Sequence, residues 1–329
     1  MKEAIVHPDT TVTIQEVPIP IPARKQILIK VVAFGTNPKD WKIPAWQNLS
    51  MNSGDDVAGY VEAVGEDVIE FQKGDRAATM PLTFLTAAFA LFYDLELPTL
   101  LDKQPNGRRT AFIIYGASTA VGAFAIKLAS AAHIHPIIAI GSRNSDFVKE
   151  YLQESEGDAF LDYTTYESHG LLSSALRAIL SASNVPEGRS FHALDAVSIP
   201  GTYDNVLSRA MAGPPQQVTG QRPRIAVTFP VQDRTMVDKS VDIVEPRVNR
   251  AHSDDLSYMS FGTAWCAMLE QGLRGGWIKP HPHRVILGGL EGLGGALQEL
   301  KMGKVKAKKL IGRIEGTPGI TNRGARRLN

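Results

Sequence analysis

The 329-residue chain has one cysteine, Cys266. A single thiol excludes an intramolecular disulfide and a thiolate-rich zinc site. An excess of charge of one sign is also missing. The 35 basic and 34 acidic residues leave a formal net charge of +1, so nothing in the charge balance suggests a surface built for nucleic acid or anionic membrane. The longest uncharged stretch, Ala77 to Tyr93, contains Thr79, Thr83 and Thr86 and is short for a bilayer span. It reads as a buried helix. Met1-Lys2-Glu3 leads straight into a strand-like segment, without the apolar region of a secretion signal. The expectation is a soluble, cytoplasmic protein with no nucleic-acid or membrane partner. Its length suffices for two domains and a large core.

The early chain reads as strands. Gln26 to Ala33 is apolar and β-branched, and Val57 to Val64 alternates around Gly59. Turn signals separate the runs: Pro18 to Pro22, Asn37-Pro38, Gly65-Glu66-Asp67 and Lys73-Gly74-Asp75. From about Asn106 strands and helices alternate. Strands are expected at Ala111–Tyr115, Pro136–Ile140, Ala159–Leu161, Phe191–Val197 and Arg224–Phe229, with helices such as Leu171–Ser181 and Thr202–Ala210 between them. That alternation implies a parallel sheet covered on both faces. Ser260 to Leu273 reads as a helix that buries Cys266 as an inert thiol. The chain then returns to a strand (Arg284–Leu287), a helix lined by Leu290, Leu293, Leu297 and Leu300, and a strand (Lys309–Ile314). A Gly- and Arg-rich tail from Thr317 is expected to fray.

Function is most legible at Tyr115-Gly116-Ala117-Ser118-Thr119-Ala120-Val121-Gly122. An apolar strand precedes it. Val121, Phe124, Ala125, Leu128, Ala129 and Ala132 follow at the spacing of one helix face. A small-residue turn between strand and helix lets backbone N–H groups approach a pyrophosphate at the positive helix end. Strand-turn-helix units without a ligand also use small residues, so the context carries the reading. The next strand runs into Gly141-Ser142-Arg143-Asn144, where an NAD-specific site would place an acid against the ribose. Ser142 can donate a hydrogen bond, and Arg143 can clamp a 2′-phosphate through two N–H groups. These residues favour NADPH. The same segment also reads as a solvated loop opening a helix at Asp146.

With these motifs placed, the chain resembles the medium-chain dehydrogenase/reductase superfamily, near its zinc-independent quinone-oxidoreductase-like members and fungal trans-acting enoyl reductases. The resemblance rests on the glycine turn and on Gly35-Thr36-Asn37-Pro38-Lys39-Asp40-Trp41-Lys42, Asp56-Val57-Ala58-Gly59 with Gly65, and Lys73-Gly74-Asp75-Arg76. It continues in Pro81 to Ala88, Gly288-Gly289-Leu290-Glu291-Gly292 and Gly303 to Leu310. It implies an α/β protein with a Rossmann-like parallel-sheet domain (96–276) and a discontinuous GroES-like β-barrel catalytic domain (1–95 and 277–316). The flexible tail would be 317–329.

The resemblance also implies roles. Asn37 and Lys42 would polarise a carbonyl, and Thr83 and Thr86 would hold the nicotinamide or the carbonyl. Gly116, Ala117, Ser118, Thr119, Ala120, Val121, Gly122, Ser142, Arg143, Tyr163, Phe229, Lys304 and Lys308 would contact the cofactor. Asn37 equally reads as a turn residue before Pro38, Lys42 and the other lysines as surface charges, and Tyr60 as a core residue rather than a proton donor. Zinc-dependent members carry a cysteine where Gly35-Thr36-Asn37 stands and a His-Glu pair where Gly54-Asp55-Asp56 stands, so no catalytic zinc site is expected. His281 and His283 lie between prolines in an expected turn.

One departure is large. Two or three barrel strands lie in the family between the Gly-Asp-Arg turn and the threonine-rich helix. Here Arg76 runs directly into Ala77-Ala78-Thr79-Met80-Pro81, so the barrel is shortened. The expected activity is NADPH-dependent, zinc-free reduction of an activated carbon–carbon double bond in an enone, quinone or enoyl thioester. The substrate would be a small molecule or carrier-bound, with a polyketide synthase as a possible partner. The alternative is a weakly active or non-catalytic NADPH-binding protein that has lost part of its catalytic domain.

Overall fold

The computed structural model describes residues 1–78, 82–102, 111–183, 191–213, 222–231 and 233–320. The chain forms two compact units, one from 1–81 with 282–329 and the other from 82–281.

The first unit opens with the antiparallel pair β1 (Lys2–Val6) and β2 (Val12–Glu16). β3 (Ile27–Gly35), α1 (Lys39–Gln47), β4 (Asp56–Val64) and β5 (Arg76–Ala78) follow. The β-branched alternation of β3 and β4 pairs them antiparallel, with register shifts at Leu28/Ile29 and Val31/Ala33 that bend the ribbon. Asn37-Pro38 does more than turn the chain. Pro38 opens α1, where its missing N–H is not needed, and Asn48 closes that helix in the left-handed region (φ 53°).

The second unit begins with α2 (Leu82–Ala88), which widens into a π-helical segment, Phe89–Asp94. The sequence reading started this helix at Ala77. Arg76–Ala78 instead pairs with β4, because Gly59 and its neighbours offer a free strand edge there; Thr79, Met80 and Pro81 lie outside the described residues. The alternating part then runs β6 (Phe112–Tyr115), α3 (Ala120–Ala131), β7 (Ile137–Gly141), α4 (Asp146–Lys149), β8 (Ala159–Asp162), α5 (His169–Ala182) and β9 (His192–Asp195). A π-helical segment, Thr202–Ser208, leads into α6 (Arg209–Met211), followed by β10 (Arg224–Val227), β11 (Asp242–Val244) and α7 (Leu256–Arg274). The six strands form one parallel sheet ordered β11-β10-β9-β6-β7-β8. This is the doubly wound order, with its switch point between β6 and β9.

The chain then re-enters the first unit with β12 (His283–Ile286), α8 (Leu293–Lys301) and β13 (Lys309–Arg313). The resulting sheet is ordered β12-β13-β3-β4-β5. Among the described residues, the buried hydrophobic side chains of this unit are Val6, Val61, Ile286, Ala296, Leu297 and Leu310. That is a thin core compared with the second unit, whose four central strands and α3 are almost wholly buried.

Three expectations need correction. Cys266 is exposed: the buried stripe of α7 runs through Tyr258, Gly262, Trp265, Leu269 and Gly272 and passes it by. His283 is not in a turn but starts β12, pairing with Lys309 of β13. The chain does not fray at Thr317, which is 2% exposed and whose hydroxyl accepts from the Leu290 amide at 2.9 Å. Residues 321–329 of the expected tail lie outside the described residues.

Candidate active site

The second unit carries a cradle at the sheet's switch point. Gly116 follows β6 at φ +85°, and a Cβ there would lie 2.7 Å from Val197 Cγ2. Thr119 caps α3 by accepting from the Gly122 amide at 3.0 Å. A Cβ on Gly122 would sit 2.3 Å from the Gly116 carbonyl oxygen. Glycine is therefore required at both positions, one for the turn and one for the close packing of helix on strand. Ala117 is buried, whereas Ser118, Thr119, Ala120 and Val121 are half-buried along the rim. The first-turn amides and the helix dipole favour an anion here, so the turn fits a dinucleotide pyrophosphate.

At the end of β7, Ser142 is half-buried and its hydroxyl accepts from the Asn144 amide at 3.4 Å, while Arg143 is exposed. The sequence reading missed the nearest acid. Asp162 ends β8 in register with Gly141. Its carboxyl is held below the ordinary carboxylate range, first by the Thr164 hydroxyl and amide and further by the charges of Arg143 and Lys149. Tyr163 is 40% exposed, and its ring stacks near Tyr115 at 6.2 Å. Burial, followed by Asp195 and Tyr163, pushes the Tyr115 phenol up to about 12. Phe229 is half-buried just beyond β10, since that strand ends at Val227.

Thr83 and Thr86 lie on α2, but in different states. The Thr86 hydroxyl donates to the Leu82 carbonyl at 2.7 Å. The Thr83 hydroxyl is buried and has no hydrogen-bond partner among the described residues. Of the two, Thr83 is the one whose hydroxyl is not committed to a helix carbonyl.

In the first unit the chain gathers a polar cluster from three distant segments. Asn37 is 2% exposed; its Nδ2 donates to Asp56 Oδ2 at 2.9 Å and its Oδ1 accepts from Lys309 Nζ at 2.8 Å. Lys309 also donates to Asp56, at 2.5 Å. An ammonium so placed competes with any metal ion for that carboxylate. Asp40 accepts from the Asn37 amide at 2.7 Å, and burial pushes its carboxyl up to about 7. Lys42 is half-buried on α1, and desolvation lowers its pKa, which makes its ammonium a readier proton donor. Lys304 and Lys308 are exposed. Lys309, adjacent to Lys308 in sequence, is the residue drawn inward, and only strand register could have singled it out. Tyr60 is half-buried opposite Lys30. His281 packs edge-on against Phe147. Among the described residues no group of three or more His, Cys, Asp or Glu could hold a metal ion, and no helix is long and apolar enough to cross a membrane.

Comparison with known proteins agrees with this architecture. Residues 23–131 match the alcohol dehydrogenase GroES-like domain. The chain is 30% identical to the trans-enoyl reductase fsr4 of Gibberella fujikuroi, over 89% of this chain and 92% of that one. That match spans 330 positions, more than the share of this 329-residue chain that takes part, so the relative carries residues with no counterpart here. Among solved structures, the CurK enoyl reductase superposes with a TM-score of 0.68 at 17% identity, covering 94% of this chain and 98% of that one. A mycobacterial protein, Rv1454c, determined with NADPH, also gives 0.68 at 18% identity, covering 94% and 99%. The chain belongs to the medium-chain dehydrogenase/reductase superfamily, in its fungal trans-enoyl reductase group. It is an oxidoreductase of the enoyl reductase type.

Proposed function

We propose that the chain reduces the activated double bond of an α,β-unsaturated carbonyl compound with NADPH. The substrate would be a small molecule or an acyl chain held on a polyketide synthase carrier. The observation that carries this reading is the glycine turn at the switch point with Ser142 and Arg143, rather than an acid, at the end of β7. What bound NADPH supplies is a hydride for the β carbon. The protein's part is to hold the cofactor and to offer donors where negative charge develops on the carbonyl oxygen. Lys42 suits that role through its desolvated ammonium and Asn37 through an amide fixed between Lys309 and Asp56, while Thr83, in the second unit, would hold the nicotinamide through its hydroxyl. Lys42 would also pass the proton that the α carbon takes up. Loss of NADPH absorbance in the presence of an enoyl thioester tests the reading, and no substrate-dependent loss refutes it.

Arg143→Ala is expected to weaken NADPH about tenfold, because a charge-assisted bond is worth about 1.5–3 kcal/mol, and to leave NADH almost unchanged. Fluorescence titration with both cofactors checks this, and an equal loss for both would contradict it.

A second reading, a cofactor-binding protein of low turnover, is favoured by the thin core of the first unit among the described residues. A missing wall admits water and positions the acceptor loosely. Inserting a family-length segment after Arg76 is expected to raise turnover far more than it changes NADPH affinity. Turnover of the present chain on the order of 10 per second with a small enone would show that the missing strands do not matter.

A further inference from the structure

The connection that leaves β9 is folded around one side chain. Asp195 is the last residue of β9, level with Tyr115 of β6 on one side and Val227 of β10 on the other. It is fully buried. Its Oδ1 accepts from the amides of Val197 (2.9 Å) and Ser198 (2.8 Å), and its Oδ2 accepts from the Thr202 hydroxyl (2.5 Å). Ser198 is forced into the left-handed region at φ +55°, a conformation that costs a non-glycine residue energy and persists only when neighbours hold it. Its hydroxyl donates to the Asp195 carbonyl at 2.7 Å and accepts from the Thr228 amide at 2.8 Å. One carboxylate therefore ties residues 196–202 to the sheet, and one hydroxyl ties that loop to the segment carrying Phe229.

The place of this knot gives it a use. Val197 packs where a Cβ on Gly116 would otherwise stand, so the loop lies directly against the glycine turn, on the β9 side of the switch point. Ile199, at the loop's tip, is 48% exposed. The loop contains a strained residue and its backbone meets the sheet through the Ala196 amide, which donates to the Tyr115 carbonyl at 2.9 Å; without the Asp195 anchor the rest of it would sample many conformations, and each would misplace the wall opposite the turn.

We propose that Asp195 is a positioning residue for the nicotinamide cofactor, acting through the 196–202 loop and, by way of Ser198, through Thr228. The inference rests on reading the second unit as the cofactor-binding unit. Asp195 touches no ligand itself. It sets the shape of the crevice wall before the cofactor arrives.

The test is NADPH affinity, measured by fluorescence titration of the full chain well below its unfolding midpoint. Asp195→Ala removes the acceptor for three buried donors and is expected to weaken NADPH at least tenfold. Asp195→Asn keeps an oxygen for the two amides and offers an NH2 to the Thr202 oxygen, whose own proton can then turn to the Ile199 carbonyl 2.7 Å away. It is expected to bind within about threefold of wild type. Leu176→Ala, at a fully buried position on α5, should lower the unfolding midpoint and leave affinity unchanged, which separates positioning from general loss of stability. If Asp195→Ala does not fold, Ser198→Ala decides, with a loss of threefold or more expected. Wild-type affinity in a folded Asp195→Ala or, failing that, in Ser198→Ala would overturn the proposal. If the wild-type chain bound no NADPH, the cofactor reading itself would fall and this inference with it.

Discussion

Replacing Lys309 by methionine is expected to destabilise the first unit by about 3–5 kcal/mol. Methionine keeps most of the apolar stem and removes only the ammonium. Asp56, whose side chain is 10% exposed, then faces its low-dielectric surroundings without its cation, and Asn37 loses the donor that fixes its amide. Removing one partner of a buried pair costs far more than the pair contributes, because the remaining charge stays desolvated. Asp56→Asn in the same chain should recover most of the loss, since an amide in that place carries no charge to compensate. Urea unfolding followed through Trp41 and Trp46, both in the first unit, reads the effect. A single variant as stable as wild type, or a double variant no better than the single one, would contradict it.

The second expected result concerns pH. The Asp40 carboxyl is raised to about 7 from an ordinary 3.8 because burial penalises its charged form more than the Asn37 amide and Lys39 favour it. A folded pKa above the unfolded one means that the native state binds the proton more tightly. The stability this contributes is complete below about pH 4 and is lost as pH rises through about 7. Three pK units correspond to about 4 kcal/mol. Asp40→Asn keeps an oxygen for the Asn37 amide and carries no charge. It should be more stable than wild type at pH 8 and should lack that part of the decline between pH 4 and 7. Parallel stability profiles for the two proteins would show that Asp40 is not its source.

Much of this was legible in the sequence, and the reasons differ by element. The parallel sheet was read almost strand for strand, because its central strands are short apolar runs buried on both faces and bounded by turn residues. The glycine turn was legible because backbone geometry demands glycine at Gly116 and Gly122, whatever the ligand. Helix α1 was hidden, since its apolar residues follow no clear face and Pro44 interrupts it. Lys309 was hidden because a run of lysines looks solvated throughout. Only the pairing of β13 with β3, which aligns Ile311 with Gly35, turns that one side chain toward Asn37 and Asp56. Asp162 was missed because it neighbours Gly141 across the sheet and not along the chain.

The first unit is built from both ends of the chain, and this dictates the order in which a ribosome can complete it. β3, β4 and β5 emerge early, but the strand that pairs with β3 on its other side is β13, made only after the whole of 82–281. Until then β3 presents an open edge to everything around the nascent chain, and Asn37 and Asp56 wait for a lysine not yet synthesised. The second unit is continuous and can finish first. A translation arrest before Lys309 would therefore release a chain whose second unit is complete while its first unit cannot close.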